Sequence, residues 1–472
     1  MSGTRRVAVV GAGMVGLATA WHLQAHGVEV TVLDREGVAA GASWGNAGWL
    51  TPAMATPLPE PAVLRYGVRA LVNPGSPVYL PPRADPQLLR FVGGFVRHST
   101  MGRWERAMRS LLPLNDRALD AFDHLVEHGV DGTVRDADPL MACYTDVRHV
   151  KVLLDEFRHI ARAGGHVDHE LISGQEARRR EPAVSEAVEA AVLIRGQRFL
   201  DPVRFVAALA DSVRHRGGSL LTRAEVTGLV DRGDHVELRT RRGEQAGGGH
   251  DGDSRGTGDG GSRGTDDRGS RGTDDGGAGR YDAVVVATGA WLGDLVAPFG
   301  VRHVVQAGRG YSFSVEPERV PAGPLYLPEA RVAVTPLGDR VRVAGMMEFR
   351  RPDEPLDPRR IRAIVDSVRP MLAGIPLDDR QDEWVGSRPV TADGLPLVGR
   401  TTSERVFVAG GHGMWGITLG PVTGHLLAEQ IVTGRVPPEL RPLDPLRRIA
   451  WAPSRAGRRP VPGAGSASLP GA

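Results

Sequence analysis

Residues 6–35 read RVAVVGAGMVGLATAWHLQAHGVEVTVLDR. The small branched residues at 7–10 predict a strand buried on both faces. Gly11-Ala12-Gly13-Met14-Val15-Gly16 then makes a glycine turn, a helical stretch follows over 17–25, and Gly27 closes it. A second apolar run, 28–33, ends in Asp34. Strand, glycine turn, helix, second strand and an acid about twenty residues past the glycines form the pattern of a dinucleotide site. Gly11 permits the tight turn, Gly13 lets a pyrophosphate approach the backbone, and Gly16 lets the helix pack close to the strand. The helix N-terminus offers free N–H groups and partial positive charge to the phosphates. Asp34 is placed to accept hydrogen bonds from ribose hydroxyls. The stretch by itself does not separate FAD from NAD.

The chain has 472 residues, too many for one ordinary core, so interleaved lobes are expected. Its net charge of +2 is too small to argue for nucleic acid, and its 62 glycines with arginine in excess of lysine read as coding bias. A single cysteine, Cys143, rules out an intramolecular disulfide or a cysteine metal cluster, and no metal site is expected. No apolar run approaches membrane-spanning length. The first strand starts within a few residues of Met1, which predicts no signal peptide. The expectation is a cytoplasmic protein, with peripheral contact at the inner face of a membrane left open.

Further along, 39–50 reads AAGASWGNAGWL, a small-residue loop suited to closing over a flat cofactor. Residues 51–82 are proline-dense and read as an extended excursion. Helices are expected over 86–98, 103–128, 146–163 and 356–372. Ser173 reads as the N-cap of a helix over 174–180 with Glu176 as its capping-box partner, and Asp201-Pro202 opens a helix to about 216. Strands are expected over 220–240, 304–315 and 332–346. Between two strand-like flanks, 254–277 is three octapeptides, SRGTGDGG, SRGTDDRG and SRGTDDGG. With almost nothing to bury, 241–280 is expected to be a disordered insertion in a surface hairpin. Residues 281–295, YDAVVVATGAWLGDL, repeat the strand, turn and helix start, and 405–427 does so again. The fold class that follows is α/β: a Rossmann-like dinucleotide domain from 1–50, 144–298 and 388–436, interleaved with an α+β substrate domain from 51–143 and 299–387 built around an antiparallel sheet. Residues 437–472 read as a loose tail.

These motifs carry a resemblance. The fingerprint at 6–35, SWGNAG at 43–48, AGRGYSFSV at 307–315, RVRVAGMMEF at 340–349, GSRPVTADGLPLVGR at 386–400 and VAGGHGMWGITLGPVTGHLLAEQIVTGR at 408–435 together resemble the D-amino-acid oxidase/glycine oxidase superfamily of flavoproteins. Within it the likeness is nearest to bacterial D-amino-acid dehydrogenases. Arg309 stands where those dehydrogenases usually carry Lys, and MWGITLGP at 414–421 is nearer to glycine oxidase. The resemblance implies FAD as cofactor and oxidative deamination of a D-amino acid to a 2-oxo acid and ammonia, with oxygen, a quinone or another acceptor taking the electrons. The alternative within enzymes is a secondary-amine relative acting on glycine, sarcosine or a proline derivative. A flavin domain serving RNA modification is disfavoured, since no second catalytic domain and no clustered basic face is legible, and a pure NAD module leaves the Gly-His-Gly loop without a role.

From the resemblance, the cofactor is expected to meet residues 11–16, Asp34, Arg35, Ser43, Asn46, Ala47, Gly48, Val226, Ala287, Thr288 and Gly289. Gly411, His412, Gly413, Gly416, Ile417 and Thr418 complete that set. Two residues are expected at the reaction itself. Arg388, before Pro389, offers a planar guanidinium for a substrate carboxylate. Tyr311 is expected over the substrate face of the flavin, sharing the carboxylate or a water. His412 reads as a cofactor contact rather than a base, and Met346 and Glu348 as candidate pocket walls. FAD is expected to be held non-covalently, because Cys143 lies in no cofactor motif and SWGNAG lacks the histidine of covalent relatives. The substrate partner is a small amino acid; the oligomeric state is not legible.

Overall fold

In the computed structural model, residues 5–61, 78–80, 85–242 and 279–448 are described. The octapeptide insertion lies outside them, as does most of the proline-dense excursion. Its flanks are adjacent antiparallel strands, Val236–Arg242 and Gly279–Tyr281, as the hairpin reading requires.

The first strand, Arg6–Val10, is central in a six-stranded sheet ordered Ser219–Leu221, Glu29–Leu33, Arg6–Val10, Ala283–Val286, Val406–Gly410, Leu397–Arg400. All neighbours are parallel except the last pair. Alternation sorts its side chains onto two cores. Val7, Val9 and Val285 face the helices Met14–Ala25, Pro202–His215 and Gly416–Thr433, while Ala8, Val10, Val284 and Val286 face the three-stranded sheet that carries Val226 and Leu238. Both faces are covered, which is why these strands read as continuous apolar runs.

The second sheet is mostly antiparallel and runs Gln381–Thr391, Val305–Val315, Arg340–Phe349, Val332–Leu337, Leu325–Leu327, Leu140–Tyr144, Ala190–Ile194, His169–Ser173. Helix Pro358–Val368 closes one of its faces through Ile361, Ile364 and Val368. Several expectations are corrected here. Residues 144–194 belong with the second sheet rather than the first. Ala190–Ile194 is buried throughout, pairs antiparallel on both edges, and shares a core with helix Val150–Ala163. Arg388 likewise stands on an edge strand of the second sheet. The helix expected over 103–128 is two helices, Met101–Asn115 and Ala118–Glu127. The break comes after Asn115, where Arg117 bonds back to Leu114 instead of continuing the i−4 ladder; Pro113, which has no N–H to give the turn before it, lies inside the first helix. Ser173 does cap Gly174–Arg180 by accepting from the Glu176 N–H, but the Glu176 carboxylate turns to Arg179 and Arg180, so the capping box is half made. The tail is ordered through residue 448: Leu440 and Leu443 are buried, and Arg447 holds Asp393 in a two-pronged pair. Among the described residues no helix is long and apolar enough to cross a membrane.

A cluster of imidazoles sits where three helices meet. His22 is buried on Met14–Ala25, stacked on His124 with centroids 5.9 Å apart and edge-on to His425 at 5.0 Å. Burial first, then His425, His124, His26 and Arg216, push its pKa down to about 2. Unfolded, it takes a proton near pH 6.5. Between those values the unfolded chain binds a proton that the folded one refuses, so this stability is present above pH 6.5 and is lost as pH falls. The expected slope is up to about 1.4 kcal/mol per pH unit for one full proton. His22→Leu should flatten denaturant-measured stability between pH 6.5 and 5 by close to one proton; equal slopes in the two proteins would refute the assignment.

Candidate active site

The helix Met14–Ala25 begins hard against the sheet. Gly11 has φ +115°, and a Cβ there would stand 2.5 Å from the Ala287 carbonyl oxygen; one on Gly16 would stand 2.0 Å from the Gly11 oxygen. Only glycine fits either place. Gly13 brings no side chain to cap the helix and no acid lies in its first turn; the Ser43 hydroxyl accepts from the Met14 N–H at 3.4 Å, and the positive end is left without an anion. Asp34 accepts from the N–H groups of Ala12, Glu36 and Gly37 at 2.8–3.0 Å, which ties the glycine turn to the end of the second strand. Its carboxylate retains lone pairs for a ribose.

These elements line a crevice of about 380 Å³. Of the expected cofactor residues, Gly11, Gly13, Met14, Val15, Gly16, Asp34, Arg35, Ser43, Asn46 and Val226 lie on it. So do Ala287, Thr288, Gly289, His412, Gly413, Gly416 and Ile417. Ala12, Gly48, Gly411 and Thr418, expected as cofactor contacts, do not line it. A Cβ on Gly48 would lie 2.0 Å from the Leu200 carbonyl oxygen, and one on Gly411 would lie 2.8 Å from the Thr391 methyl. The Thr418 hydroxyl donates to the Trp49 carbonyl at 3.0 Å. The imidazole of His412 is buried against the Thr423 hydroxyl at 3.0 Å, and burial pushes its pKa down to about 4, so it is neutral at pH 7. Sequence reading missed Trp291, which stacks under the Arg35 guanidinium at 3.8 Å and donates to Asp353. No local signal pairs those three residues.

A second cavity of about 380 Å³ opens beside the crevice and shares Asn46, Arg388 and Met414 with it. Ala47 lies on this cavity, together with the expected Met346. Arg388 is the hinge of the arrangement. A Cβ on Gly310 would fall 2.2 Å from its guanidinium, so glycine clears its space. Its Nη1 donates to the Met346 carbonyl at 2.7 Å. Met346 has φ +67° at a bulge where the register against Val305–Val315 shifts, which re-aims that carbonyl. Such a backbone costs on the order of 1–3 kcal/mol. Burial alone pushes the Arg388 pKa down to about 10; it stays protonated, and no carboxylate among the described residues forms an ion pair with it.

Tyr311 and Glu348 are not on this cavity, contrary to expectation. The Tyr311 hydroxyl donates to Glu348 Oε2 at 2.7 Å, and Glu348 Oε1 accepts from Arg350 at 2.7 Å and Arg360 at 3.0 Å. Both residues are buried on the side closed by helix Pro358–Val368. Burial, then the bond to Glu348, raises the Tyr311 pKa. The cavity's phenol is that of Tyr326, which sequence reading missed. Cys143 is buried in the core of the second sheet, and burial pushes its thiol up to about 12.

The chain matches the family of FAD-dependent oxidoreductases over residues 6–430. It is 30% identical over 479 aligned residues to a D-amino acid dehydrogenase of Cereibacter sphaeroides, covering 97% of this chain and 98% of the relative. A D-amino acid dehydrogenase of Rhizorhabdus wittichii is 27% identical, covering 92% and 97%. Among solved structures, glycine oxidase from Geobacillus kaustophilus superposes with a TM-score of 0.66 at 21% identity, covering 94% of this chain and all of that one. L-proline dehydrogenase from P. horikoshii gives 0.62 at 17%, covering 95% and 98%. At those identities the likeness is one of fold. The crevice fits FAD: its helix N-terminus, left without an anion, suits a pyrophosphate, and the Thr288 hydroxyl is buried without a protein partner. Gly11→Ala should therefore purify with little FAD and a lowered melting temperature, read from the 450 nm absorbance per chain (roughly the flavin band). Full flavin occupancy in that variant would contradict the close-approach argument.

Proposed function

Because the chain belongs to the family of FAD-dependent oxidoreductases, we propose that it oxidatively deaminates D-amino acids, with Arg388 holding the substrate carboxylate. The observation that carries this reading is a protonated, largely desolvated guanidinium without a carboxylate partner, at the one junction where crevice and cavity share walls. A cation so placed is under-satisfied until an anion arrives, and a carboxylate meets its planar fork in two parallel bonds. Bound FAD supplies the two-electron acceptor: the α-carbon gives up a hydride and the amine a proton, a C=N bond forms, and water then releases the 2-oxo acid and ammonia.

The chain's own residues bind and orient. Arg388 fixes the carboxylate, Gly310 and the Met346 carbonyl fix Arg388, and the apolar walls exclude water. No Asp, Glu, His or Lys among the described residues lines the cavity, and His412 is turned onto Thr423. Loss of the amine proton therefore falls to solvent. The rate of anaerobic flavin reduction at low substrate should rise with pH along a single ionisation, that of the substrate's own amine. A second ionisation that moves with a mutation in the protein would refute this.

Arg388→Ala should keep the flavin spectrum and weaken reduction by amino acids. A charge-assisted bond of about 1.5–3 kcal/mol corresponds to roughly tenfold to over a hundredfold in kcat/KM. Arg388→Lys should recover part of the loss, since a point charge does not reproduce the fork. An amine lacking a carboxylate should lose little further in the Ala variant. Stopped-flow reduction against D-, L- and N-methyl amino acids tests the whole reading: undiminished reduction in Arg388→Ala removes the anchor, and reduction by L- or N-methyl forms alone removes the D-amino acid.

A further inference from the structure

We propose that the second cavity is a side-chain pocket that makes large apolar amino acids, aromatic, branched aliphatic or thioether, the preferred substrates. This rests on the reading above, in which Arg388 takes the carboxylate. With the carboxylate fixed at the shared wall, the side chain has the remaining volume to fill. The whole cavity, the end against Arg388 included, is about 380 Å³. A cavity of roughly 150 Å³ accommodates a benzene ring, and a water takes roughly 30 Å³. A methyl side chain would leave most of the space to water, and an aromatic one would displace it.

The walls have the chemistry of a protein core. Phe91 and Phe95 come from helix Pro86–His98, and Met346, Met347 and Phe349 from the facing strand. Phe91 and Phe349 lie with centroids 5.2 Å apart at 41°, which offers ring edges and faces to a third ring. Thioether sulfurs adapt to such rings and add polarizable contacts. Besides Arg388 the charged wall group among the described residues is Arg331, which already has a partner and lies in the field of Glu156. A lysine-like side chain would meet no anion on these walls, and burying an unpaired charge is costly. An acidic side chain would have to compete for an arginine already engaged.

Each methylene moved from water into such a pocket is worth about fourfold in kcat/KM. Summed over a side chain, D-phenylalanine, D-leucine and D-methionine should reduce the flavin with kcat/KM on the order of ten to a hundred times that of D-alanine, D-glutamate or D-lysine. Titrating the oxidised holoenzyme with phenylacetate and acetate, read as flavin spectral perturbation, should give a Kd at least about tenfold lower for phenylacetate. Val92→Phe, at a half-buried wall position of helix Pro86–His98, fills the pocket; it should cut the D-phenylalanine value by about tenfold or more and spare D-alanine. Val92→Ala serves as the second variant and should shift preference toward D-tryptophan. D-alanine equal to D-phenylalanine in the wild type overturns the pocket and leaves the D-amino acid reading intact. Reduction only by bulky L- or N-methyl amino acids overturns that reading and supports the pocket. No difference between phenylacetate and acetate overturns the pocket by a route that needs no turnover.

Discussion

Backbone has to touch backbone at both ends of this chain, and the architecture follows from that contact. Gly16 lets helix Met14–Ala25 close on the glycine turn below it, with Gly11 against Ala287. On its outer side the same helix meets the last one. A Cβ on Gly420 would lie 2.6 Å from Met14 Cγ, and one on Gly424 would lie 2.6 Å from the backbone of Ala18 and Thr19. First and last helices are thus clamped together, and the second sheet is inserted between them. Both helices also start at the crevice without an acid in the first turn, so two positive helix ends converge on one site. Small residues at the clamp give the site its field as well as its packing.

The second sheet reaches that site by one strand. Gln381–Thr391, the edge strand, stays paired with Val305–Val315 and meets the Gly-His-Gly loop on its other side, where Gly413 donates to the Pro389 carbonyl at 2.8 Å and Val390 bridges His412. Arg388 rides on the strand at that crossing. A protonated group kept there without a counter-charge is destabilising in the free protein. The strained Met346 carbonyl offsets part of that cost through a charge-assisted bond.

What was legible in the sequence was local. The turn at residues 11–16, the caps at Asp201 and Ser173 and the helix Pro86–His98 are written in neighbouring residues, and the structure has them where they were expected. The non-local pairings were not legible. Nothing between 144 and 194 says which sheet will accept its strands, and the structure gives them to the second. Tyr311 shows the same limit at one residue. A motif locates it on the strand Val305–Val315 but not on a face of the sheet, and the extra residue of the register shift lies on the partner strand at Met346–Met347, whose side chains take the cavity wall. The Tyr311 hydroxyl ends on Glu348, and Tyr326 from another strand takes the cavity wall.

Arg309, where the resembling dehydrogenases usually carry Lys, has a physical account in the same register. It is buried, 1% exposed, and its Nη2 donates to the carbonyls of Glu354 and Pro355. It therefore points away from the cavity and grips the segment 350–357. Ser387 holds that segment a second time by donating to the Pro352 carbonyl at 3.0 Å, and Asp353 carries it across to Trp291 and Arg35 at the crevice. Both bonds come from the one Nη2 nitrogen, whose donors the planar guanidinium holds in fixed directions, whereas an ammonium at the end of a flexible stem holds them less rigidly. Arginine at 309 thus ties the second sheet to the far end of the cofactor crevice. Its difference from lysine bears on how that strap is held; Arg388 lies on the neighbouring strand, opposite Gly308, the residue before Arg309.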